Sequence, residues 1–571
     1  MAIPDPHLGA LAGEGLDRPR DRRFFLRWTV TAGILLVFPY LALTLLRPPG
    51  STYSGMLFVP GDTFLYLSVM LHSHLGAWSF VDLFTWRQEP GLPILLLYIA
   101  LGKLVPGAAG PVELALVFHL ARLAFSLAFI HQAWALYREA LPGTSSRRVA
   151  FLFLLLTAGT GVAAFILGSP ADRAASPPFD MTFIESHAMY GMLATPHFAA
   201  VLLLLAVFLR ALLRAMRAAA GGWRATLVAG ASVALLSVIH PEKVGVVAGT
   251  AAAFWLFGTF TRRWRQVGAW RRLAQLVLMT AFGVPYVAYA YLLTQHDVQI
   301  AELLRQGRPH QLPLNPMYYL SGYGIPGICA LVGLPRLVRH PRSAPLGEVL
   351  FWCFTVAGVV ILVAPLHALD HRAEGMQLAL AALAGRSLVH SILPRLWRTR
   401  GFRAAVRRRL FGYRRKRMRL LTLNVVIILS STTVLALTLA SPRAGLADAS
   451  ELYLDRGDLA ALTWLRNHAA ASEVVVSGPQ SAQFVAAYGG TQVVCCEWAF
   501  TPDYDRELAA LSDFFYKRVD TATYLAQRHV KYLYFSSREA PFSPLQPGGM
   551  SLFHLVFRDG TTSIYAINYP K

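Results

Sequence analysis

Residues 395–440 read RLWRTRGFRAAVRRRLFGYRRKRMRLLTLNVVIILSSTTVLALTLA, a cluster of 12 basic residues followed by a mainly apolar run of 21. An α-helix needs about 20 apolar residues to cross the roughly 30 Å hydrocarbon core of a bilayer. Lys and Arg are enriched in the short loops on the cytoplasmic side of such helices. The stretch therefore predicts a membrane-spanning helix that begins at the cytoplasmic face.

The same pattern recurs along the chain of 571 residues, which is 55% hydrophobic and 15% charged, with a mean hydropathy of +0.45. Soluble domains carry about 25% charged residues, so the composition excludes a soluble enzyme as the default and indicates an α-helical polytopic membrane protein. The mainly apolar runs lie roughly at residues 28–47, 91–105, 111–137, 149–168, 196–213, 225–241, 244–261, 273–294, 322–335, 346–366, 373–392 and 420–440.

The positions of the positive charges decide which of these runs cross the membrane. Of the 53 Lys and Arg residues, 32 fall in six clusters, at residues 1–27, 138–148, 210–224, 262–272, 336–342 and 395–419. All six clusters lie in the cytoplasm only if run 91–105 does not cross. That run is short and begins with prolines, so it predicts a helix on the outer interface. About eleven crossings of the cell membrane remain, with a cytoplasmic N-terminus.

The net charge of +22 therefore reflects membrane topology and calls for no nucleic-acid partner. The cluster at 395–419 is also suited to contact anionic lipid headgroups at the cytoplasmic face.

This topology predicts three parts: a basic cytoplasmic N-terminus at residues 1–27, a transmembrane domain at 28–440 and an extracytoplasmic domain at 441–571. Residues 48–110 form the first outer loop, in which we expect two juxtamembrane helices, one ending near Gly76 and one from Leu92 to Leu104. In the last part, short apolar strands alternate with helices, which predicts a small α/β domain.

Ionisable residues gather at the outer ends of the predicted helices. Such residues are energetically costly near a membrane, so their presence calls for a structural or functional explanation. Because at least five outer segments contribute, these side chains are expected to converge on one cavity beside the membrane surface. The set consists of Asp62, Asp180, Glu185, His187, His197, His240, Glu242, Lys243, His296, Asp297, Asp370, Arg372 and Glu374.

Structural alternatives exist for most of these residues. Asp62 can instead cap a helix that begins at Thr63, and Glu242 can pair with Lys243 on the surface of a tight turn. Arg372 can pair with Asp370 or Glu374 as a structural staple.

A histidine such as His187 or His197 is more often a hydrogen-bonded structural group than a ligand. A divalent metal held by Glu185, His187 and His197 also stays open, although these residues do not have the spacing HxxxH or HExxH.

Several short motifs resemble the GT-C superfamily of membrane glycosyltransferases, which includes protein mannosyltransferases and aminoarabinose transferases. The first loop carries Gly61-Asp62-Thr63-Phe64-Leu65-Tyr66, Gly76-Ala77-Trp78, Glu89-Pro90-Gly91-Leu92-Pro93 and Leu97-Tyr98-Ile99-Ala100-Leu101-Gly102-Lys103-Leu104. Later stretches that resemble bacterial proteins of this kind are 372–377, 462–466, 497–504 and 532–539. The resemblance covers most of the chain in layout and only short motifs in residues.

The resemblance implies transfer of a sugar from a polyprenyl-phosphate donor to a glycan, lipid or protein acceptor, on the outer face. Asp62 matches the family's loop aspartate and would act as general base. The residues that would bind the substrates are Tyr66, Glu89, His187, His197, His240, Glu242, Lys243, Arg372 and Glu374. The family usually has Asp-Glu at this point, but Thr63 follows Asp62 here, and Glu89 is a candidate for the second carboxylate.

Two other functions remain open at the level of sequence. A transporter or lipid flippase needs polar residues at mid-depth in the membrane, and the chain offers chiefly Arg122 and Arg386. A GT-C-like scaffold without catalysis is consistent with the departure at Thr63.

Overall fold

The computed structural model describes residues 19–88, 90–167, 179–218, 221–264, 268–306, 316–363, 373–407, 415–447 and 449–569. Two predicted site residues, Glu89 and Arg372, lie outside these described residues.

The described chain is mostly helical, and each of the eleven runs predicted to cross the membrane forms a helix or a pair of helices. Within the described ranges, seven helices are long and apolar enough to span a bilayer, namely Pro19–Leu45, Pro111–Ala140, Pro196–Arg217, Lys243–Phe260, Met317–Arg339, Met376–Leu396 and Arg417–Ala447. Their lengths and compositions support a multi-pass membrane protein.

The other four predicted crossings are bent or short. Thr144–Leu156 and Gly161–Leu167 meet at 45°, and Ala269–Ala281 and Val284–His296 meet at 46°. The apolar helices Trp223–Ile239 and Leu346–Leu362 are shorter, with 17 residues each. Counting each bent pair as one span gives up to nine spans among the described residues, so eleven crossings stays a prediction.

The first loop contains two packed helices, as the sequence predicts. The longer one, which we call the loop helix, is Pro60–His74, and the shorter one is Leu96–Gly102. The backbones of the two helices lie close together at Gly102. A Cβ atom on this residue would lie 2.3 Å from the Met70 carbonyl oxygen. The shorter helix has seven residues, too few to cross a bilayer.

The loop helix begins at Pro60, three residues before Thr63, where it would begin if Asp62 were its cap. Its N-cap is Val59, and Asp62 lies inside the first turn. The expectation that Asp62 caps a helix beginning at Thr63 is therefore wrong. Pro60 explains the early start, since its fixed φ suits the first helical position and the missing N–H needs no partner there.

The residues from 449 to 569, here called the tail, form a small domain with helices and a five-stranded sheet. Numbered along the whole chain, the strands are β1 Ser51–Tyr53, β2 Tyr453–Asp455, β3 Val474–Val476, β4 Gln492–Val493, β5 Val530–Phe535, β6 Phe553–Asp559 and β7 Thr562–Ile567. The sheet order is β4-β3-β5-β7-β6, with β3 parallel to both β4 and β5. The main tail helices are Arg456–His468, Pro479–Phe484, Tyr504–Phe515 and Thr521–Gln527.

The first loop and the tail pack as one layer. Strand β1 of the loop pairs antiparallel with β2, which lies near the start of the tail. The backbone N–H of Val493 donates to the Leu83 carbonyl at 2.9 Å, and the Thr501 hydroxyl donates to the Phe84 carbonyl at 2.8 Å. Both segments share one buried apolar core. Residues of the tail are consequently placed against the loop helix.

The two arginines considered for a transporter are both bound within the helical bundle. Arg122 donates from Nη1 to the Met192 carbonyl at 2.8 Å and from Nη2 to the Leu36 carbonyl at 3.1 Å. Arg386 pairs with Glu348 at 2.6 Å. Because buried charges require such partners, a structural role accounts for both arginines.

Candidate functional site

Four helix ends bring predicted site residues together. His197 is in the first turn of Pro196–Arg217, and His240 follows the end of Trp223–Ile239. Lys243 begins the helix Lys243–Phe260, and Glu374 precedes the helix Met376–Ser387. Gly375, whose φ of +82° suits glycine, allows the turn between Glu374 and its helix.

The charged side chains at these ends form a compact group. His240 Nδ1 lies 2.8 Å from Glu242 Oε1 and 3.4 Å from Glu374 Oε2. Lys243 Nζ lies 3.6 Å from Glu374 Oε2, and the side chains of both residues are completely buried. The alternative in which Lys243 forms a surface pair is therefore wrong, because the tight turn directs this side chain into the bundle.

Aromatic rings connect the charged group to the loop helix. The His197 ring stacks on His240 with centroids 5.1 Å apart, and His197 Nδ1 lies 2.6 Å from the Tyr98 hydroxyl. Tyr66 stacks on Tyr98 at 4.2 Å. We call the assembled set of Tyr66, Tyr98, His197, His240, Glu242, Lys243 and Glu374 the polar cluster. It contains six of the nine residues predicted to bind substrates.

Asp62 lies one helical turn before Tyr66, where side chains four residues apart are neighbours. Burial, and then the negative charge of Asp62, raise the pKa of Tyr66 well above its usual value. Burial and the nearby Tyr66 similarly raise the pKa of Tyr98, with a smaller contribution from Asp62. Both phenols therefore stay protonated at neutral pH.

Two residues of the assembled site were missed by the sequence reasoning. Tyr98 was named only as part of the first-loop motif Leu97–Leu104, and no role in the site was predicted for it. Glu497 comes from the tail, and its carboxyl packs on the loop helix so closely that a Cβ on Gly61 would lie 2.2 Å from Glu497 Oε2. Its only signal was the similarity of residues 497–504 to the tails of bacterial proteins.

His187 makes its described contacts elsewhere. Its Nδ1 lies 2.6 Å from the Ser186 hydroxyl, and its ring lies 5.3 Å from that of Tyr323. Burial lowers the pKa of His187 to about 3, so the ring is neutral. A role of His187 in substrate binding stays a prediction. The same holds for Glu89 and Arg372, which lie outside the described residues.

Among the residues that the structure describes, no three His, Cys, Asp or Glu side chains are close enough together to hold a metal ion. The predicted ligand Glu185 is buried.

We predict that Tyr98→Phe destabilises the protein by about 1–3 kcal/mol, because the ring stack persists while His197 loses its buried hydroxyl partner. The measurement is the Tm of the purified protein in detergent. Tyr516→Phe, at a residue with 43% exposure, serves as control and should change stability by less than about 0.5 kcal/mol. Equal Tm values for both variants would contradict the role assigned to the hydroxyl.

Comparison with known proteins gives a match at the level of fold. No protein-family model and no curated protein sequence matches the chain. The oligosaccharyltransferase of Archaeoglobus fulgidus, in complex with Zn and sulfate, superimposes with a TM-score of 0.52 at 14% identity, covering 94% of this chain and 73% of that one. ArnT from Cupriavidus metallidurans, bound to undecaprenyl phosphate, superimposes with a TM-score of 0.50 at 14% identity, covering 94% of this chain and 98% of that one. At this level of identity the similarity shows the fold alone: the chain shares the fold of these two solved proteins.

The shared fold agrees with the resemblance that the motifs of the first loop indicated. The apo form of the same oligosaccharyltransferase also matches, with a TM-score of 0.51 at 13% identity, covering 89% of this chain and 69% of that one. The matches extend over the transmembrane helices and the tail together, since up to 95% of the chain is covered.

Proposed function

We propose that this protein transfers a sugar from a polyprenyl-phosphate-linked donor to an acceptor on the extracytoplasmic face, with Asp62 as the general base. The observation that carries the proposal is the polar cluster, which joins residues of several separate segments into one group beside Asp62 in a GT-C-like fold. ArnT, which shares this fold, was crystallised with undecaprenyl phosphate, a polyprenyl phosphate.

The chemistry is an inverting displacement at the anomeric carbon of the donor sugar. The acceptor oxygen or nitrogen forms a bond to that carbon, and its proton moves to the Asp62 carboxylate. The bond between the anomeric carbon and the phosphate oxygen breaks, and the electron pair leaves with the phosphate. Protonated Tyr66 can donate a hydrogen bond to that phosphate, and Lys243 lowers the energy of its developing charge.

The proposed orientation rests on where the charges lie. The polar cluster occupies one set of helix ends, whereas the basic clusters at 210–224, 262–272 and 395–419 follow or precede the opposite ends of the same helices. The positive-inside rule assigns those basic ends to the cytoplasm. Anionic lipid headgroups are the expected partners of the cluster at 395–419.

The proposal is tested by offering the purified protein in lipid a panel of radiolabelled polyprenyl-phosphate sugars, with a cell-envelope extract as the source of acceptors. We expect label from at least one donor to move to an acceptor or to water. A protein that binds none of the donors and transfers none would contradict the proposal. Binding of a donor without any transfer would favour the non-catalytic scaffold.

The transporter alternative gains no support from the helical bundle. Its two mid-depth arginines are engaged by Met192, Leu36 and Glu348, which leaves them a structural role.

A further inference from the structure

Glu497 stands at the junction between the tail and the first loop, in a position fixed by backbone contacts. Cys495, two residues earlier, forms a β-bridge with Thr85 of the loop. The Thr501 hydroxyl accepts a hydrogen bond from the Cys496 N–H at 3.2 Å and donates to the Phe84 carbonyl. The turn that carries Glu497 is thus held against the loop on both sides.

The Glu497 carboxyl contacts the first turn of the loop helix at Gly61. A Cβ placed on Gly61 would lie 2.2 Å from Oε2 and 2.7 Å from Cδ of Glu497. No side chain fits between the backbone of residue 61 and the Glu497 carboxyl. The glycine at position 61 therefore allows this carboxyl to contact the helix directly before Asp62. Glu497, 435 positions after Asp62 in the sequence, therefore lies against the helical turn that carries Asp62.

The surroundings of Glu497 favour its neutral form. Burial, followed by the charge of Asp62, raises the pKa of Glu497 to about 7. Among the residues that the structure describes, the other titratable groups that face it are Tyr504, Cys495 and Cys496 of the tail, and burial raises the pKa of each of these above its usual value. They are neutral at pH 7, so Asp62 is the charge to which Glu497 responds.

We propose that Glu497 and Asp62 form a carboxyl pair that holds one proton at neutral pH, with Asp62 as the ionised member and Glu497 as a positioning residue that carries the proton. This inference rests on the proposed function of Asp62 as general base. Two adjacent carboxyls cannot both ionise without cost, so the pair presents a single negative charge. The tail thereby supplies through space the second acid that Thr63 does not supply in sequence.

The pair has a consequence for the anionic donor. Above neutral pH Glu497 ionises, and the second negative charge repels the donor phosphate. The KM for the donor is expected to rise at alkaline pH in the natural protein. Glu497→Gln, which removes this charge and keeps the shape, is expected to lose the alkaline rise in KM.

Labelling with dicyclohexylcarbodiimide tests the pair without any donor, because this reagent modifies protonated carboxyls in apolar surroundings. The full-length protein in lipid nanodiscs is labelled between pH 5 and 9, and modification of Glu497 is measured by peptide mass spectrometry. We expect a midpoint near pH 7, in line with the raised pKa of Glu497. Asp62→Asn should lower the midpoint by about half a unit or more, since it removes a like charge.

The matched control is Asp513→Asn on the tail surface, where Asp513 pairs with Arg518, and it should leave the midpoint unchanged. A midpoint that is the same in natural protein and Asp62→Asn, or that lies below pH 5 in the natural protein, would overturn the pair. Transfer by Asp62→Asn at the natural rate would instead overturn the proposed function. A midpoint shift in that variant would then still stand, so the two failures are distinguishable.

Discussion

Asp62→Asn is expected to lower sugar transfer by about 10²- to 10⁴-fold, the usual contribution of a general base. The amide keeps the size and much of the hydrogen bonding of the carboxylate but accepts no proton at neutral pH. The measurement is the initial rate of label transfer from the active donor at saturating concentration. Donor binding, measured in the same samples, should remain, because the phosphate contacts proposed for the polar cluster are untouched.

The loss should reflect chemistry rather than unfolding. Asp62 is only partly buried, and it sits in the first turn of the loop helix rather than at the N-cap. Removing a negative charge near a helix N-terminus costs about 0.3–1 kcal/mol, so the Tm should change little. Asp513→Asn provides a matched change on the tail surface and should keep full activity. Natural activity in Asp62→Asn would remove this residue from the mechanism.

Much of the fold could be predicted from the sequence, because membrane helices are marked by local signals. Each apolar run flanked by a basic cluster became a helix, since a bilayer requires every backbone polar group to be satisfied within the segment. The tail also contains short strands that alternate with helices, as its sequence pattern predicts. Their hydrophobic patterns depend on neighbours a few positions away.

Contacts between distant parts of the chain could not be predicted in this way. The hairpin β6–β7 and the pairing of β1 with β2 were not anticipated, although β6 and β7 have seven and six residues. Strand β1 has only three residues and owes its conformation to β2, which lies about 400 positions later. Nothing in a local pattern specifies such a partner.

The candidate site shows the same division. His197, His240, Lys243 and Glu374 were recognised because an ionisable residue at the end of an apolar helix is locally conspicuous. Glu497 lies outside any apolar helix, and its importance depends on the approach of the tail to Gly61. The expected partner of Asp62 was sought at position 63 or 89, whereas the structure places the carboxyl of Glu497 against Gly61, the residue before Asp62.

Lys243→Met is expected to destabilise the protein by about 3–5 kcal/mol and to abolish donor binding. Lys243 and Glu374 form a pair with side chains fully buried, and removal of one partner leaves an uncompensated buried charge. The same change removes the cation proposed to act on the donor phosphate. A lowered Tm and the absence of donor binding would be measured on the same preparation.

A double variant separates these two effects. In Lys243→Met combined with Glu374→Leu, both charges are replaced by apolar side chains, and such replacements of buried pairs are often neutral or stabilising. We expect the Tm to recover to near that of the natural protein, while donor binding stays lost because no cation has been restored. If the double variant regains both stability and transfer, the pair serves only to hold the helix ends together. The cation on the phosphate must then come from another residue, for which Arg372 is the candidate given by the sequence.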